Sequence, residues 1–167
     1  MNALQFFRDD LLLEVGRVAA LRGTLRSLVL SQADALFSTR LGDQGVARVL
    51  MHGQELPEIC QALLVIAPVY GVSADAVQKL AQIVADYRND FDFAAKVANG
   101  TWTLLGGEVT WYGLYKGETV SGSDLTPNWQ QLQVSDLKKL CARLERAFDE
   151  LRAVGWAIRV AVSERTL

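Results

Sequence analysis

Three side chains in the sequence could act as a nucleophile, a general base or a soft metal ligand: His52, Cys60 and Cys141. His52 is the single histidine, and its separation from Cys60, with Pro57 between them, matches no zinc-ligand spacing. Both cysteines fall on apolar segments with helical periodicity, where burial raises the pKa of a thiol and suppresses its reactivity. We therefore predict no metal site, no cofactor and no catalytic residue among these groups.

Carboxylates offer a second source of chemistry, in the segment ADYRNDFDFAAK. Asp86 and Asp90 are one helical turn apart and could share a cation such as magnesium, with Asp92 close by. The competing interpretation is a solvated acidic face opposite an apolar stripe. Glu108 is an isolated residue of a predicted strand. A site built on Glu108 or on the Asp86–Asp90 pair is therefore an alternative hypothesis rather than the favoured one.

Motifs that bind phosphate or mark a catalytic serine are missing from the sequence. Gly106 and Gly107 precede a predicted strand, whereas a phosphate loop leads into a helix that carries Lys-Ser or Lys-Thr. The sequence also contains no G-x-G-x-x-G and no G-x-S-x-G. This pattern favours a protein that is not an enzyme.

The remaining candidate site is an aromatic hairpin in residues 101–122, TWTLLGGEVTWYGLYKGETVSG. A two-residue turn at Gly106–Gly107 fixes the strand register and places Trp102 opposite Trp111. Tryptophan and tyrosine are frequent at the energetic centres of protein interfaces. The competing interpretation is that Trp102 and Trp111 pack the sheet onto the helices. The residues predicted to bind a protein partner are Trp102, Trp111, Tyr112 and Tyr115.

The elements that must position these side chains begin with a long helix predicted over residues 1–37. Its apolar residues follow a 3-4 spacing, interrupted at one seam position by Glu14. Gly16, Ala20 and Gly23 form a second, narrow face of small residues. Each glycine costs a helix about 1 kcal/mol relative to alanine, and the close approach of a neighbouring backbone would offset that cost. The helix is predicted to be central to the fold or to form half of a homodimer interface.

Further helices are predicted before residue 100. Pro57 suits the first turn of one helix, and Ser73 suits the N-cap of another. The predicted bounds are Val46–Met51, Glu58–Ala67 and Ala74–Ala98.

The sequence changes character after residue 100, where Thr, Trp, Tyr and Val become frequent. The hairpin is followed by a short predicted strand over Glu118–Ser121 and by an amphipathic helix over Asp136–Val154. Gly155 is predicted to end that helix. Alternation then predicts a final strand with one face formed by Trp156, Ile158, Val160 and Val162.

Helices followed by a β-meander, a helix and a strand predict an α+β fold. An N-terminal bundle of three to four helices would pack against a small, mainly antiparallel sheet formed by the meander and the C-terminal strand. The 167 residues suit a single domain. Its helical part would cover residues 1–100, and the meander, helix and final strand would cover residues 101–167.

Charge and hydropathy exclude several kinds of partner. The net charge is -2, from 17 basic and 19 acidic residues, and no segment has the excess of Lys and Arg that nucleic-acid binding requires. The longest apolar stretch, 59–74, is too short to span a bilayer and contains Pro68. The N-terminus lacks the features of a signal peptide. We predict a cytoplasmic protein that contacts neither nucleic acid nor membrane.

The function favoured by the sequence is a non-enzymatic protein–protein interaction module, such as an inhibitor, an adaptor or a chaperone-like regulator. Its two candidate contact surfaces are the 1–37 helix, through which a homodimer would form, and the tryptophan hairpin. The alternative is a small-ligand-binding protein or an enzyme. Its carboxylate-based site would lie between the sheet and the helices.

Overall fold

The computed structural model of the protein describes residues 9–41, 45–105, 108–112 and 130–163. Helices make up most of these ranges: α1 (Asp9–Leu41), α2 (Val46–Leu50), α3 (Leu56–Val69), α4 (Ala74–Asn99) and α5 (Val134–Ser163). Three short strands pair in the antiparallel order β1-β2-β3. They are β1 (Thr101–Leu105), β2 (Glu108–Tyr112) and β3 (Gln130–Gln131).

The predicted α+β class is wrong, because the protein is helical. The predicted C-terminal strand over Trp156–Val162 is the last part of α5, which continues to Ser163. The side chains described as core belong to helices or to short connections beside them. The strands are short and described by their backbone alone, and the core is built by helix-on-helix packing. The single domain over residues 1–167 stays a prediction.

Gly155 explains why the end of α5 was misplaced. A glycine after an apolar stripe usually ends a helix, but this glycine lies inside α5 against the side chain of Gln32 from α1. A Cβ at position 155 would lie 2.9 Å from Cδ of Gln32 and 3.2 Å from its Cγ. Gln32 is fully buried, and its Nε2 donates to the carbonyl oxygen of Leu151 at 2.8 Å. The glycine therefore serves helix packing instead of helix termination.

Local signals placed the helices before residue 100 correctly. The predicted positions of α2, α3 and α4 are confirmed. Ser73 caps α4, since its Oγ accepts from the backbone N–H of Ala76 at 3.4 Å. A capping box between Glu55 and Glu58, with proline in the first turn, begins α3. The predicted start of the first helix at residue 1 lies outside the described residues.

The long helix α1 is central, as one of its two interpretations predicted, and packs against the four other helices. It runs parallel to α5, because Cys141 lies beside Glu14 near the start of both helices and Leu151 lies beside Gln32 further along. Glu14, the interruption in the predicted apolar seam, is buried there. Its carboxylate pairs with Arg17 at 3.2 Å.

Helix α3 covers only the second half of α1. Arg22 of α1 forms an ion pair with Glu55 at the start of α3. The rings of Phe37 and Tyr70 meet edge to face at its end, with centroids 6.0 Å apart. The two helices therefore run parallel from about residue 22 of α1 onwards, and the outward face of α1 before that point has no α3 alongside it. None of the described helices is both long enough and apolar enough to cross a membrane.

Candidate functional site

The predicted hairpin register is confirmed. Strands β1 and β2 pair so that Trp102 faces Trp111 and Leu105 faces Glu108. Tyr112 pairs with Thr101 at the open end of the hairpin. Tyr115 lies outside the described residues. The structure thus brings the two tryptophans together in the backbone ladder, and their role in binding a partner stays a prediction.

The predicted Asp86–Asp90 pair holds two helices together. Arg143 of α5 donates to a carboxylate oxygen of Asp90 at 2.7 Å and to the carbonyl oxygen of Asp86 at 3.2 Å. The side-chain amide of Gln82, one turn earlier in α4, donates to a carboxylate oxygen of Asp86 at 2.9 Å. The guanidinium of Arg143 also lies over the ring of Tyr87, 5.4 Å from its centroid. The Asp90 carboxylate therefore links α4 to α5, whereas the Asp86 carboxylate is engaged within α4.

Metal-ligating side chains do not converge in the part of the chain that the structure describes: no group of three or more His, Cys, Asp or Glu side chains lies close enough to hold an ion. His52 is exposed in the turn after α2. Asp92 is half-buried in α4. The residues singled out for chemistry thus occupy separate places in the fold.

Both cysteines lie in the core, as predicted. Burial raises the pKa of the Cys60 thiol from its ordinary value of 9.0 to about 12. Burial is also the main cause that raises the pKa of the Cys141 thiol, and nearby Glu14 adds to the effect while Arg17 opposes it. Because the thiolate is the nucleophilic form, neither cysteine has the environment of a catalytic residue.

The Cys60 thiol predicts a stability loss at alkaline pH. Its folded pKa lies above its unfolded value, so its contribution is fully present below about pH 9 and falls by up to about 1.4 kcal/mol per pH unit above it. Urea unfolding at about pH 8 and about pH 10 measures this loss. Cys60→Ala should show a smaller loss over the same interval than the wild type. Equal losses would contradict the assignment.

One side of the first half of α1 carries no charged side chain and is not covered by any described residue. Leu13 is 64% exposed, and a Cβ built on Gly16 or Gly23 would meet no described atom within 4 Å. Ala20 and Ser27 are exposed on the same side of the helix. We call this surface, made of Leu13, Gly16, Ala20, Gly23 and Ser27, the open α1 face. The sequence singled out its small residues, and the structure shows that no described residue packs on its two glycines.

A groove lies between the first half of α4 and the second half of α5. It encloses about 410 Å³. Its apolar wall includes Ala76, Ile83, Val154 and Ala157. We call it the α4–α5 groove. Its polar rim is formed by Asp75, Lys79, Gln82 and Glu150.

Trp156 of α5 lies beside this groove and is 71% exposed. The residues one turn before it and directly after it, Ala153 and Ala157, both line the groove. Sequence reasoning missed this side chain as a surface feature, because it placed Trp156 on a strand. The signal that would have found it is the heptad spacing of the buried residues of α5: Leu137, Leu144, Leu151 and Ile158.

Comparison with known proteins assigns the chain to no described group, since no family model, no curated protein and no solved structure matches it.

Proposed function

We propose that the protein is a non-enzymatic protein–protein interaction module, acting as an inhibitor, adaptor or chaperone-like regulator, whose open α1 face receives an apolar helix of a partner protein. The observation that carries this proposal is that no described residue lies within 4 Å of a Cβ built on Gly16 or Gly23. Self-association through the 1–37 helix would use the same face and stays a prediction.

The two glycines have a cost that the described residues do not offset. Each one weakens a helix by about 1 kcal/mol relative to alanine. Inside a fold, such a glycine is expected where another group must come close, as at Gly155. Gly16 and Gly23 have the same absence of a side chain but no described neighbour. A partner helix lying across them would supply the missing close contact, and the exposed Leu13 would add apolar area.

Several of the groups on which a catalytic site could be built are engaged within the fold. The Asp86–Asp90 pair is held by Gln82 and Arg143. The thiols are buried, and their pKa values are raised. The alternative placed its site between a sheet and the helices, whereas the side chains described as core belong to helices and their short connections. These observations support a binding protein over an enzyme.

The test compares two substitutions that place a charge on different exposed surfaces. Ala20→Glu puts a carboxylate in the middle of the open α1 face, where burying an unpaired charge should weaken partner capture by at least about tenfold. Val65→Glu puts the same charge on α3, where Val65 is also highly exposed. Tagged proteins are incubated with lysate of the source cells, and the captured proteins are quantified.

The proposal expects one discrete partner to be captured by the wild type and by Val65→Glu, and to be lost with Ala20→Glu. Circular dichroism should show that both variants are folded, because both positions face solvent. Failure of the wild type to capture any protein would contradict the proposal. Equal capture by the wild type and Ala20→Glu would contradict it too.

A further inference from the structure

Trp156 and the α4–α5 groove form a projection and a recess on one surface of the protein. The indole is 71% exposed, and Ala153 and Ala157 of the same helix lie in the groove wall. We propose that two copies of the chain associate through this surface, with Trp156 of each copy inserted in the α4–α5 groove of the other. The surface involves α4 and α5 alone, so the proposal is independent of the open α1 face.

The exposure of Trp156 argues for a contact outside the single chain. Tryptophan is the side chain most enriched at the centres of interfaces, where it buries roughly 150–250 Å². On α5, Ile158 is fully buried while Trp156 points to the opposite side. The largest side chain of this part of the helix therefore contributes little to the core.

The groove has the size and the lining that an indole requires. The groove volume of about 410 Å³ falls within the range of pockets that hold small ligands. Such ligands are larger than an indole ring. Alanines on both helices leave the space open, and Ile83 and Val154 supply apolar walls. At the rim, the carboxylate of Glu150 accepts a hydrogen bond from the hydroxyl of Tyr87 at 2.8 Å. This bond holds the Glu150 side chain in place at the opening of the groove.

Charges around the projection and the recess are complementary. Arg159, one turn after Trp156, is exposed and forms no ion pair with another described residue. The groove rim carries two carboxylates, from Asp75 and Glu150, against the single ammonium of Lys79. In a twofold pair with parallel α5 helices, Trp156 of one copy lies at the same level along the helix axis as the groove of the other copy. Arg159 then lies toward Asp75 of that copy.

Twofold symmetry makes the contact self-limiting, because each copy provides one projection and one recess. Two reciprocal insertions would bury roughly 800 Å² in total if each of the two indoles and each of the two recesses loses about 200 Å² of exposed surface. This area is below the roughly 1,200 Å² of standard specific interfaces and is typical of a weak, transient contact. We therefore expect a dimer that forms in the micromolar range of protein concentration.

Sedimentation velocity of the full chain tests the proposal, over concentrations from about 1 µM to about 1 mM. The mass of the wild type should rise from that of a monomer toward that of a dimer. Trp156→Ala should weaken dimer formation by at least about tenfold. Val65→Ala is the matched control, since it removes an equally exposed apolar side chain of α3 and should leave the dissociation constant unchanged.

A charge exchange tests the predicted pairing of the two copies. Arg159→Asp alone and Asp75→Arg alone should each weaken the dimer, and the double variant should restore it to within about threefold of the wild type. A wild type that remains monomeric at every concentration would overturn the proposal. So would a dimer that Trp156→Ala leaves intact, or a double variant as weak as the single ones. None of these results depends on partner capture by the open α1 face.

Discussion

Replacing Ile158 with alanine is expected to lower the free energy of unfolding by about 2–5 kcal/mol, because it removes a fully buried side chain and leaves a cavity. Replacing the larger Trp156 with alanine should change it by less than about 0.5 kcal/mol, because that side chain faces solvent. Urea unfolding monitored by circular dichroism measures both values. The protein concentration should be low, so that self-association contributes nothing.

This pair of substitutions distinguishes the helix from the strand predicted by the sequence. On a strand, Trp156 and Ile158 would share one face and would respond alike. On α5 they lie on opposite sides, so that one belongs to the core and the other to the surface. Similar losses for both variants would contradict the helical assignment of residues 156–162.

Gly155→Ala is expected to destabilise the protein by about 1–3 kcal/mol, because the new methyl group would displace the buried amide of Gln32. That displacement would also break the hydrogen bond from Gln32 to the carbonyl oxygen of Leu151. Gly16→Ala is the matched control, since Gly16 is also inside a helix but has open space around it. It should stabilise the protein by about 0.5–1 kcal/mol through higher helix propensity.

The two glycine variants are compared in the same urea titration. Opposite signs are the expected result, because the cost at position 155 comes from packing and the gain at position 16 comes from the backbone. A stabilising Gly155→Ala would contradict the close packing of Gln32 on α5. A destabilising Gly16→Ala would mean that a group covers that glycine in solution.

Sequence reasoning succeeded where local chemistry decides the structure. Ser73 caps α4, and proline begins α3, because capping depends on residues within one turn of the helix end. The hairpin register followed from the Gly106–Gly107 turn, since the turn length alone fixes which residues face each other. These predictions needed no knowledge of the remaining chain.

Sequence reasoning failed where a residue far away in the chain decides the local structure. Gly155 resembles a helix end, and the alternation after it resembles a strand. The contact that accounts for a glycine inside α5 is made by Gln32, far away in the sequence. The heptad spacing through Leu151 and Ile158 carried the opposite signal and was the better guide, because it extends over the whole of α5.

The candidate sites likewise depend partly on local sequence and partly on contacts between distant residues. Glu14 is unusual within α1 because it interrupts the apolar seam, and Gly16 and Gly23 are unusual because they form a second face of small residues. Whether α3 covers the two glycines depends on where it begins along α1, which no local pattern determines. The Asp86–Asp90 pair likewise has the spacing of a cation site, but Arg143 of α5 engages it. Tertiary contacts therefore decide which of these candidate surfaces are engaged within the fold.

The most direct test of the proposed function is photo-crosslinking from the open α1 face in the source cells. A photoreactive amino acid replaces Leu13, whose exposed side chain lies at one end of that face, or Val65 of α3 as the matched control. A discrete crosslinked adduct with a second protein from position 13, and none from position 65, is the expected result. No adduct from position 13, or the same adduct from both positions, would contradict the assignment of this face to partner binding.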